Sequence, residues 1–545
     1  MGATYNAANP FRTHAKRDPA APALRCPDKD GGWTTTSYGQ LDRLSDSYAR
    51  GFVKVGIHKG DRAWVLLRPS ADLYATLLAL FKIGAVPVLV DPGMGPRAVL
   101  ACVERTRPRV VIAERAVHAL AMVSRAPFRH TAVRISRGAF PGTQTLSRCA
   151  LPDDVPFTPV LCEALDDAAI LFTSGSTGPA KGVGNRQEMF AAQVTALADH
   201  FGFRPGMTDV QCFAAFALFD LSLGLCSVLP HMDLSRPASA NPAEIVRAIQ
   251  TFSAEISFAS PIVWFHVGPW CVAKGTRLLS LEVVITVGAP IPAKLHASFR
   301  KVLRSDCEIH TPYGATEAMP LCSIASNEIL ETRAQSEGGA GTCVGRPLPG
   351  VDLRLIRITD NAIAVWSDTD RVGATEIGEV VAGGSVVSLG YKDAADANAY
   401  AKIRDGDQIL HRMGDLGRFD EQGRLWFCGR KAHAIHTSSG FVPAVPVENI
   451  ANQQPDIFRS ALVGVGPVGR QVAVLCVEMR DGRVFDDVVL RDVRRNLDNS
   501  SYVGLVQRVL VHPKFPTDAR HNSKIRNEEL ALWASERCRD LAEHR

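Results

Sequence analysis

The chain of 545 residues has no Cys-x-x-Cys pair and no His/Cys grouping at zinc-ligand spacing, although it holds 13 cysteines. Scattered singly from Cys26 to Cys538, this odd and unpatterned set argues against a disulfide framework or a structural zinc site. It fits reduced, buried thiols in a cytoplasm. There is no Lys/Arg block: 61 basic residues stand against 56 acidic ones, a net charge of +5, so nucleic acid is not an implied partner. There is no long apolar run either, because the most apolar stretch, residues 74–90, is broken by Lys82, Gly84 and Pro87 and falls short of a membrane span. The start, Met1-Gly2-Ala3-Thr4-Tyr5-Asn6, lacks the charged-then-apolar pattern of a signal peptide, and Asn6 spoils a myristoylation match. The expectation is a soluble, cytoplasmic protein that does not span a membrane.

What is present is ordinary for a globular protein: 46% apolar and 21% charged residues with a mean hydropathy of +0.02, which argues against extensive disorder. The length suggests about three or four folding units. Leu41, Leu44, Tyr48 and Phe52 are spaced for a helix over 35–52, and residues 61–67 read as a strand. Residues 73–81 read as a buried helix, 84–92 as a turn into a second strand, 97–104 as a helix and 110–113 as a short buried strand. This alternation predicts a mostly parallel, doubly wound sheet. Residues 138–164 carry Pro, Gly and Ser without periodicity and read as a surface connection. A second alternating unit follows, with a helix over 187–201 and strands at 255–259 and 283–287. Past residue 351 short strands and turns predict a smaller antiparallel subdomain, and a composition break near Gly429-Arg430-Lys431 precedes a small last domain ending in a helix from Asn527.

The stretch Thr173-Ser174-Gly175-Ser176-Thr177-Gly178-Pro179-Ala180-Lys181-Gly182 follows the apolar strand 168–172. Glycines let the backbone turn tightly and bring its N–H groups to an anion, the hydroxyls add donors, and Lys181 adds a charge. The pattern is a phosphate cradle, distinct from the P-loop, in which Lys directly follows Gly and precedes Ser or Thr. Four more stretches stand downstream. Tyr313-Gly314-Ala315-Thr316-Glu317 puts a carboxylate just after a glycine turn, suited to Mg²⁺. Gly414-Asp415-Leu416-Gly417 puts Asp415 at a strand end, suited to two ribose hydroxyls; Gly429-Arg430-Lys431 stands at the domain junction, and Asn522-Ser523-Lys524-Ile525 offers a tail cation. Each alone reads as a turn or a solvated charge.

In this order and register the set resembles the adenylate-forming superfamily of acyl-CoA synthetases, peptide-synthetase adenylation domains and luciferases, from about Tyr38 to the last helix. The resemblance implies an α/β fold: a large N-terminal domain of doubly wound sheets with a small β subdomain over 1–429, a hinge at 430–432, and a small mobile α+β lid over 433–545. It implies ATP and Mg²⁺ as cofactors. Thr173, Ser174, Gly175, Ser176, Thr177, Gly178 and Lys181 would hold the β- and γ-phosphates. Gly288, Ala289, Pro290 and Tyr313 would bracket adenine, with Gly314 and Thr316 beside them in the nucleotide site. Asp415 would grip the ribose, Arg430 would assist at the nucleotide, and Glu317 would bind Mg²⁺. Catalysis would fall to Lys524, Glu317 and Thr173, with Lys524 reaching the substrate carboxylate and the α-phosphate.

Within the superfamily, Phe216-Ala217-Leu218-Phe219-Asp220, Trp426-Phe427-Cys428-Gly429-Arg430-Lys431 and residues 515–525 look like the bacterial β-lactone synthetases of long-chain olefin biosynthesis. These adenylate a 2-alkyl-3-hydroxy fatty acid, whose own hydroxyl then displaces AMP. Their partners are a thiolase-like condensing enzyme, a reductase and a decarboxylase. The departures are Ser523 with Asn522 ahead of Lys524, and Ala432 where the hinge usually carries Asp or Lys. A long-chain acyl-CoA or acyl-AMP ligase and a catalytically silent relative are the alternatives. Residues 213–225 are the candidate acyl-pocket wall, with Phe216, Phe219, Leu223 and Asp220 facing the acid and Met319 and Pro320 forming another side; a carboxylate such as Asp220 in so apolar a run needs a partner. His433 and His436 read as a solvated loop.

Overall fold

The computed structural model describes residues 5–173, 180–288, 291, 293–517 and 525–540. A first sheet of seven strands runs in the order Gln144–Thr145, Val133–Ser136, Val110–Ala113, Arg62–Leu66, Val86–Val90, Asp167–Thr173, Lys181–Arg186. Neighbours are parallel except the last pair, which is antiparallel. A parallel sheet must be covered on both faces. Val65, Val110 and Ile112 pack under the helices Tyr38–Lys54 and Ala71–Lys82, while Trp64, Val88 and Val111 pack under Pro96–Thr106 and Arg115–Val123. The helix expected over 35–52 starts later, at Tyr38, because Ser37 accepts from the Gln40 N–H and the Gln40 side chain accepts from the Ser37 N–H.

The second sheet has nine strands, with a parallel centre made by Glu308–Ala315, Val283–Thr286, Ile256–Ala259, Thr208–Gln211, Cys226–Val228 and Pro22–Pro27. Its outer face is covered by Pro242–Thr251, Pro261–Lys274 and Ala293–Val302, through Ile245, Trp264 and Phe299. The helix Ala217–Leu223 lies in the layer between the sheets, where Ala217, Leu218 and Leu221 join the core that also holds Phe11, Leu24 and Leu77. The doubly wound expectation holds. The region 138–164 is less irregular than its composition suggests: Gln144–Thr145 pairs at the sheet edge, and the helix Leu146–Cys149 buries Leu146 and Cys149.

The expected antiparallel subdomain is a six-stranded sheet that includes Gly378–Gly383, Gln408–Phe419 and Leu425–Arg430. Asp415 is not at a strand end but inside Gln408–Phe419. Opposite Glu379 and Val381 the strand places Leu416 and Arg412, so Met413, Gly414 and Asp415 fill a bulge for which Gly414 supplies a φ of 64°. The bulge, not a strand terminus, aims the carboxylate.

Beyond it, a hairpin (Ile435–Thr437, Gly440–Val442) and a three-stranded sheet (Ile457–Val465, Val472–Met479, Val506–Val511) pack with the helices Ala444–Ala451, Asp487–Asp498 and Asn527–Arg537. This α+β unit leans on residues 336–342, where Asn449 donates to Thr342 Oγ1 at 3.1 Å and Gln453 to the Glu337 carbonyl at 2.5 Å. Among the described residues no helix is long and apolar enough to cross a membrane.

Candidate functional site

A cleft of about 2030 Å³ runs between the two large sheets, the antiparallel subdomain and the C-terminal unit. This is about twice the upper end of an ordinary ligand pocket, and leaves room for two ligands. One end is apolar, with Leu73, Leu77, Leu171, Phe213 and Phe216. The other end gathers Lys181, Tyr313, Glu317, Asp415 and Arg430 with Lys431, His433 and His436.

The strand Asp167–Thr173 delivers Thr173 opposite Lys181, the first residue of the returning strand. Ser174, Gly175, Ser176, Thr177 and Gly178 lie outside the described residues, as do Ala289, Pro290 and Lys524. Gly288 lines the cleft. So do Ile525 and Asn527, and Ile525 forms an antiparallel bridge with Thr517. The backbone on either side of residues 518–524 is therefore fixed, with its C-terminal side at the cleft.

Tyr313, Gly314, Thr316 and Glu317 come from the hairpin of Glu308–Ala315 and Ala318–Ala325 and all line the cleft. Glycine is required at 314 by close approach, since a Cβ there would lie 2.6 Å from the Ala318 carbonyl oxygen. The Tyr313 hydroxyl donates to Asp415 Oδ2 at 2.6 Å, and Arg430 Nη1 lies 3.1 Å from Asp415 Oδ1. That contact is an ion pair without hydrogen-bond alignment, so Asp415 Oδ1 is buried with no hydrogen-bond partner among the described residues. Burial pushes the Asp415 carboxyl above its ordinary value, against the pull of Arg430 and the Tyr313 hydroxyl.

Three cleft features carry no motif in the sequence. Tyr391 donates its hydroxyl to Glu317 Oε1 at 2.8 Å, and its ring lies 5.0 Å from Lys181 Nζ, so one side chain joins the cradle lysine to the acidic residue. Asn398 holds both the N–H and the carbonyl of Tyr391. His411 is buried on the cleft wall four residues before Asp415; following the period of two back along the strand from Asp415 would have reached it. Finally, Glu379 accepts from Arg412 at 2.6 Å and from Lys431 at 3.3 Å, while Lys431 also donates to the Tyr400 hydroxyl at 2.5 Å. Lys431 is thus anchored to the N-terminal side immediately before Ala432.

Of the expected acid-binding residues, Phe216 and Met319 line the cleft and Phe219, Asp220, Leu223 and Pro320 do not. Phe219 stacks on Phe190 at 5.2 Å. Asp220 turns into the core, where it accepts from Ser227 Oγ at 2.7 Å and Gln211 Nε2 at 3.3 Å. The partner it needs lies in the sheet rather than in a ligand. His433 and His436, expected in a solvated loop, are instead on the cleft wall.

The cleft between the parallel sheets thus brings together Lys181, Glu317 and Asp415, whose Oδ1 has no hydrogen-bond partner among the described residues. The chain belongs to the AMP-binding enzyme family, whose profile matches residues 11–392. It is 40% identical over 537 residues to the olefin β-lactone synthetase of Stenotrophomonas maltophilia, covering 96% of each chain. It is 39% identical over 540 residues to that of Xanthomonas campestris pv. campestris, again covering 96% of each. In fold it resembles ATP-bound MatB from Rhodopseudomonas palustris, with a TM-score of 0.77 over 97% of this chain and 99% of that one, at 19% identity.

Proposed function

We propose that the protein is an ATP-dependent, AMP-forming β-lactone synthetase. It adenylates a 2-alkyl-3-hydroxy fatty acid and closes it to a β-lactone, releasing AMP and pyrophosphate, in long-chain olefin biosynthesis. The observation that carries this reading is 40% identity to an olefin β-lactone synthetase across 96% of both chains. On this reading the enzyme works in the cytoplasm beside thiolase-like, reductase and decarboxylase enzymes.

The polar end of the cleft supports a nucleotide role. Asp415 Oδ1, buried and lacking a hydrogen-bond partner among the described residues, has two lone pairs to accept two ribose hydroxyls, and Tyr313 fixes the other oxygen. Glu317, with Oε1 fixed by Tyr391, is the residue to hold Mg²⁺, which when bound neutralises phosphate charge. Lys181 and the loop from Thr173 to Gly178 hold the β- and γ-phosphates, and Gly288, Ala289 and Pro290 lie against adenine. Phe216 and Met319 contact the acyl chain.

Two bond exchanges follow. The substrate carboxylate attacks the α-phosphorus and pyrophosphate leaves; then the 3-hydroxyl oxygen attacks the acyl carbon and AMP leaves. The first joins two anions, so it needs screening and alignment, a role we assign to Lys181, Arg430 and Lys524; the cleft lining by Ile525 and Asn527, close by in the chain, supports the last. The second needs no external acceptor, since a tethered hydroxyl has a high effective concentration. The C-terminal unit, taken as residues 433–545, turns about the junction at 430–432, and the anchoring of Lys431 supports Ala432 as its pivot.

The test is incubation with ATP, Mg²⁺ and a 2-alkyl-3-hydroxy acid, with and without CoA. Lactone and AMP formed without CoA are expected; a strict thiol requirement transfers the assignment to an acyl-CoA ligase. Lys524→Ala should abolish acyl-adenylate formation while ATP still binds, and retained turnover would remove Lys524 from its role.

A further inference from the structure

Of the cleft side chains that the adenylation step does not use, His411 has a ring nitrogen without a hydrogen-bond partner among the described residues. His411 is 3% exposed and lies on the cleft wall. Its ring is hydrogen bonded to the Ala401 backbone carbonyl, and Nδ1 has no hydrogen-bond partner among the described residues. An unfilled buried ring nitrogen is costly and calls for a ligand group. Tyr391 stands edge-on to the ring at 6.1 Å, and Lys402 is its direct cross-strand neighbour. Burial holds the imidazole neutral far below its ordinary range, and Lys402 and then Lys181 add to this. With one ring nitrogen donating to a carbonyl, a neutral ring presents Nδ1 as an acceptor. What it lacks is a hydroxyl or N–H donor, and an ionised carboxylate or phosphate has none to offer.

We infer that His411 Nδ1 accepts the hydrogen bond of the substrate's 3-hydroxyl and draws off its proton during ring closure; this rests on the lactone-forming reading above. In that step the hydroxyl O–H bond breaks and the bond from its oxygen to the acyl carbon forms. The bond from the acyl carbon to the phosphate oxygen breaks, and AMP departs with its electron pair. The proton crosses the hydrogen bond to Nδ1. Because burial and Lys402 disfavour an imidazolium, it then passes on to the departing phosphate or to water, leaving His411 as it began. The same contact makes His411 the group that distinguishes a 3-hydroxy acid from an acid without the hydroxyl.

The experiment separates the two half-reactions in the full-length protein. Pyrophosphate exchange into ATP is measured with the 3-hydroxy acid and with its 3-deoxy analogue, and lactone is measured in single turnovers. In His411→Leu the ratio of ring closure to exchange should fall about 10²- to 10³-fold, the range of a positioned base, with acyl-adenylate accumulating. The preference for the hydroxy acid over the deoxy acid should also shrink. His411→Asn, whose side-chain oxygen can accept the hydroxyl's hydrogen bond but cannot take up its proton, should restore the preference for the hydroxy acid while ring closure stays as low as in the Leu variant. Three results overturn the inference: an unchanged ratio in His411→Leu, a parallel fall of exchange with the deoxy acid, or an Asn variant that restores ring closure. If the wild type exchanges pyrophosphate but makes no lactone, the functional reading itself falls, and this inference falls with it.

Discussion

Asp415 and Asp220 are both buried carboxyls in apolar surroundings, 3% and 5% exposed, and burial raises the pKa of each. Their partners differ. Asp220 is bonded by Ser227 and Gln211, and Gln211 also bonds Asp209, so the core itself accounts for the group. Asp415 receives one hydroxyl, from Tyr313, and among the described residues keeps an oxygen without a hydrogen bond beside the cleft. Burial alone therefore does not mark a functional carboxylate. An incomplete set of partners facing a cavity does.

The largest effect should come from removing the incomplete partner set. Two hydrogen bonds from ribose hydroxyls to a charged acceptor contribute about 1.5–3 kcal/mol each. Asp415→Ala should thus lower acyl-adenylate formation by about 10²- to 10⁴-fold, read as pyrophosphate exchange. Its thermal midpoint without ligand should fall as well, because the Tyr313 hydroxyl and Arg430 lose their partner, so exchange is read per folded protein below that midpoint. A loss of less than tenfold would break the contrast with Asp220.

Asp220 should matter to stability instead, and with a definite sign. Its carboxyl is raised to about 6 by burial, from a reference value of 3.8. An acid raised in the folded state binds its proton more tightly there than in the unfolded chain, so stability is full below about pH 4 and declines as pH rises toward 6. The neighbouring Asp209, raised by burial and by the Asp220 carboxylate, pushes in the same direction. Asp220→Asn should flatten this part of the profile relative to wild type in urea melts between pH 4 and 7. Equal slopes in the two proteins would show that the pair does not titrate on unfolding.

Much of this was legible before any coordinates. The strands at 86–90, 110–113 and 283–286 are continuous apolar runs because both faces of a parallel sheet are covered, and the run shows in local sequence. The helix over Gln187–Phe201 has the bounds its spacing suggests. What resisted reading was set by partners distant in the chain. The bulge at Met413 to Asp415 exists only in the pairing with Glu379 to Val381. Phe216 and Phe219 are neighbours at 5.7 Å, yet the packing of Phe190 from another helix decides which of the two reaches the cleft. Tyr391 sits 74 residues from Glu317 and has no local signature of the hydrogen bond it makes.

That last contact sharpens the comparison by supplying a third carboxylate with an intermediate status. Glu317, like Asp415, takes one tyrosine hydroxyl, at 2.8 Å against 2.6 Å. The Tyr391 hydroxyl immobilises Oε1 and leaves the rest of the carboxylate to the cleft, so its loss should loosen the orientation of Glu317 without removing the charge. A hydrogen bond to a charged group of about 1.5 kcal/mol corresponds to about a tenfold effect. Tyr391→Phe, which keeps the ring under Lys181, should therefore weaken Mn²⁺ binding in the presence of ATP about tenfold by electron paramagnetic resonance titration. ATP binding without metal should stay nearly unchanged, since the cation–ring contact survives. If the metal titration of Tyr391→Phe superimposes on wild type, the hydroxyl is mere packing, and Glu317 belongs with Asp220 rather than with Asp415.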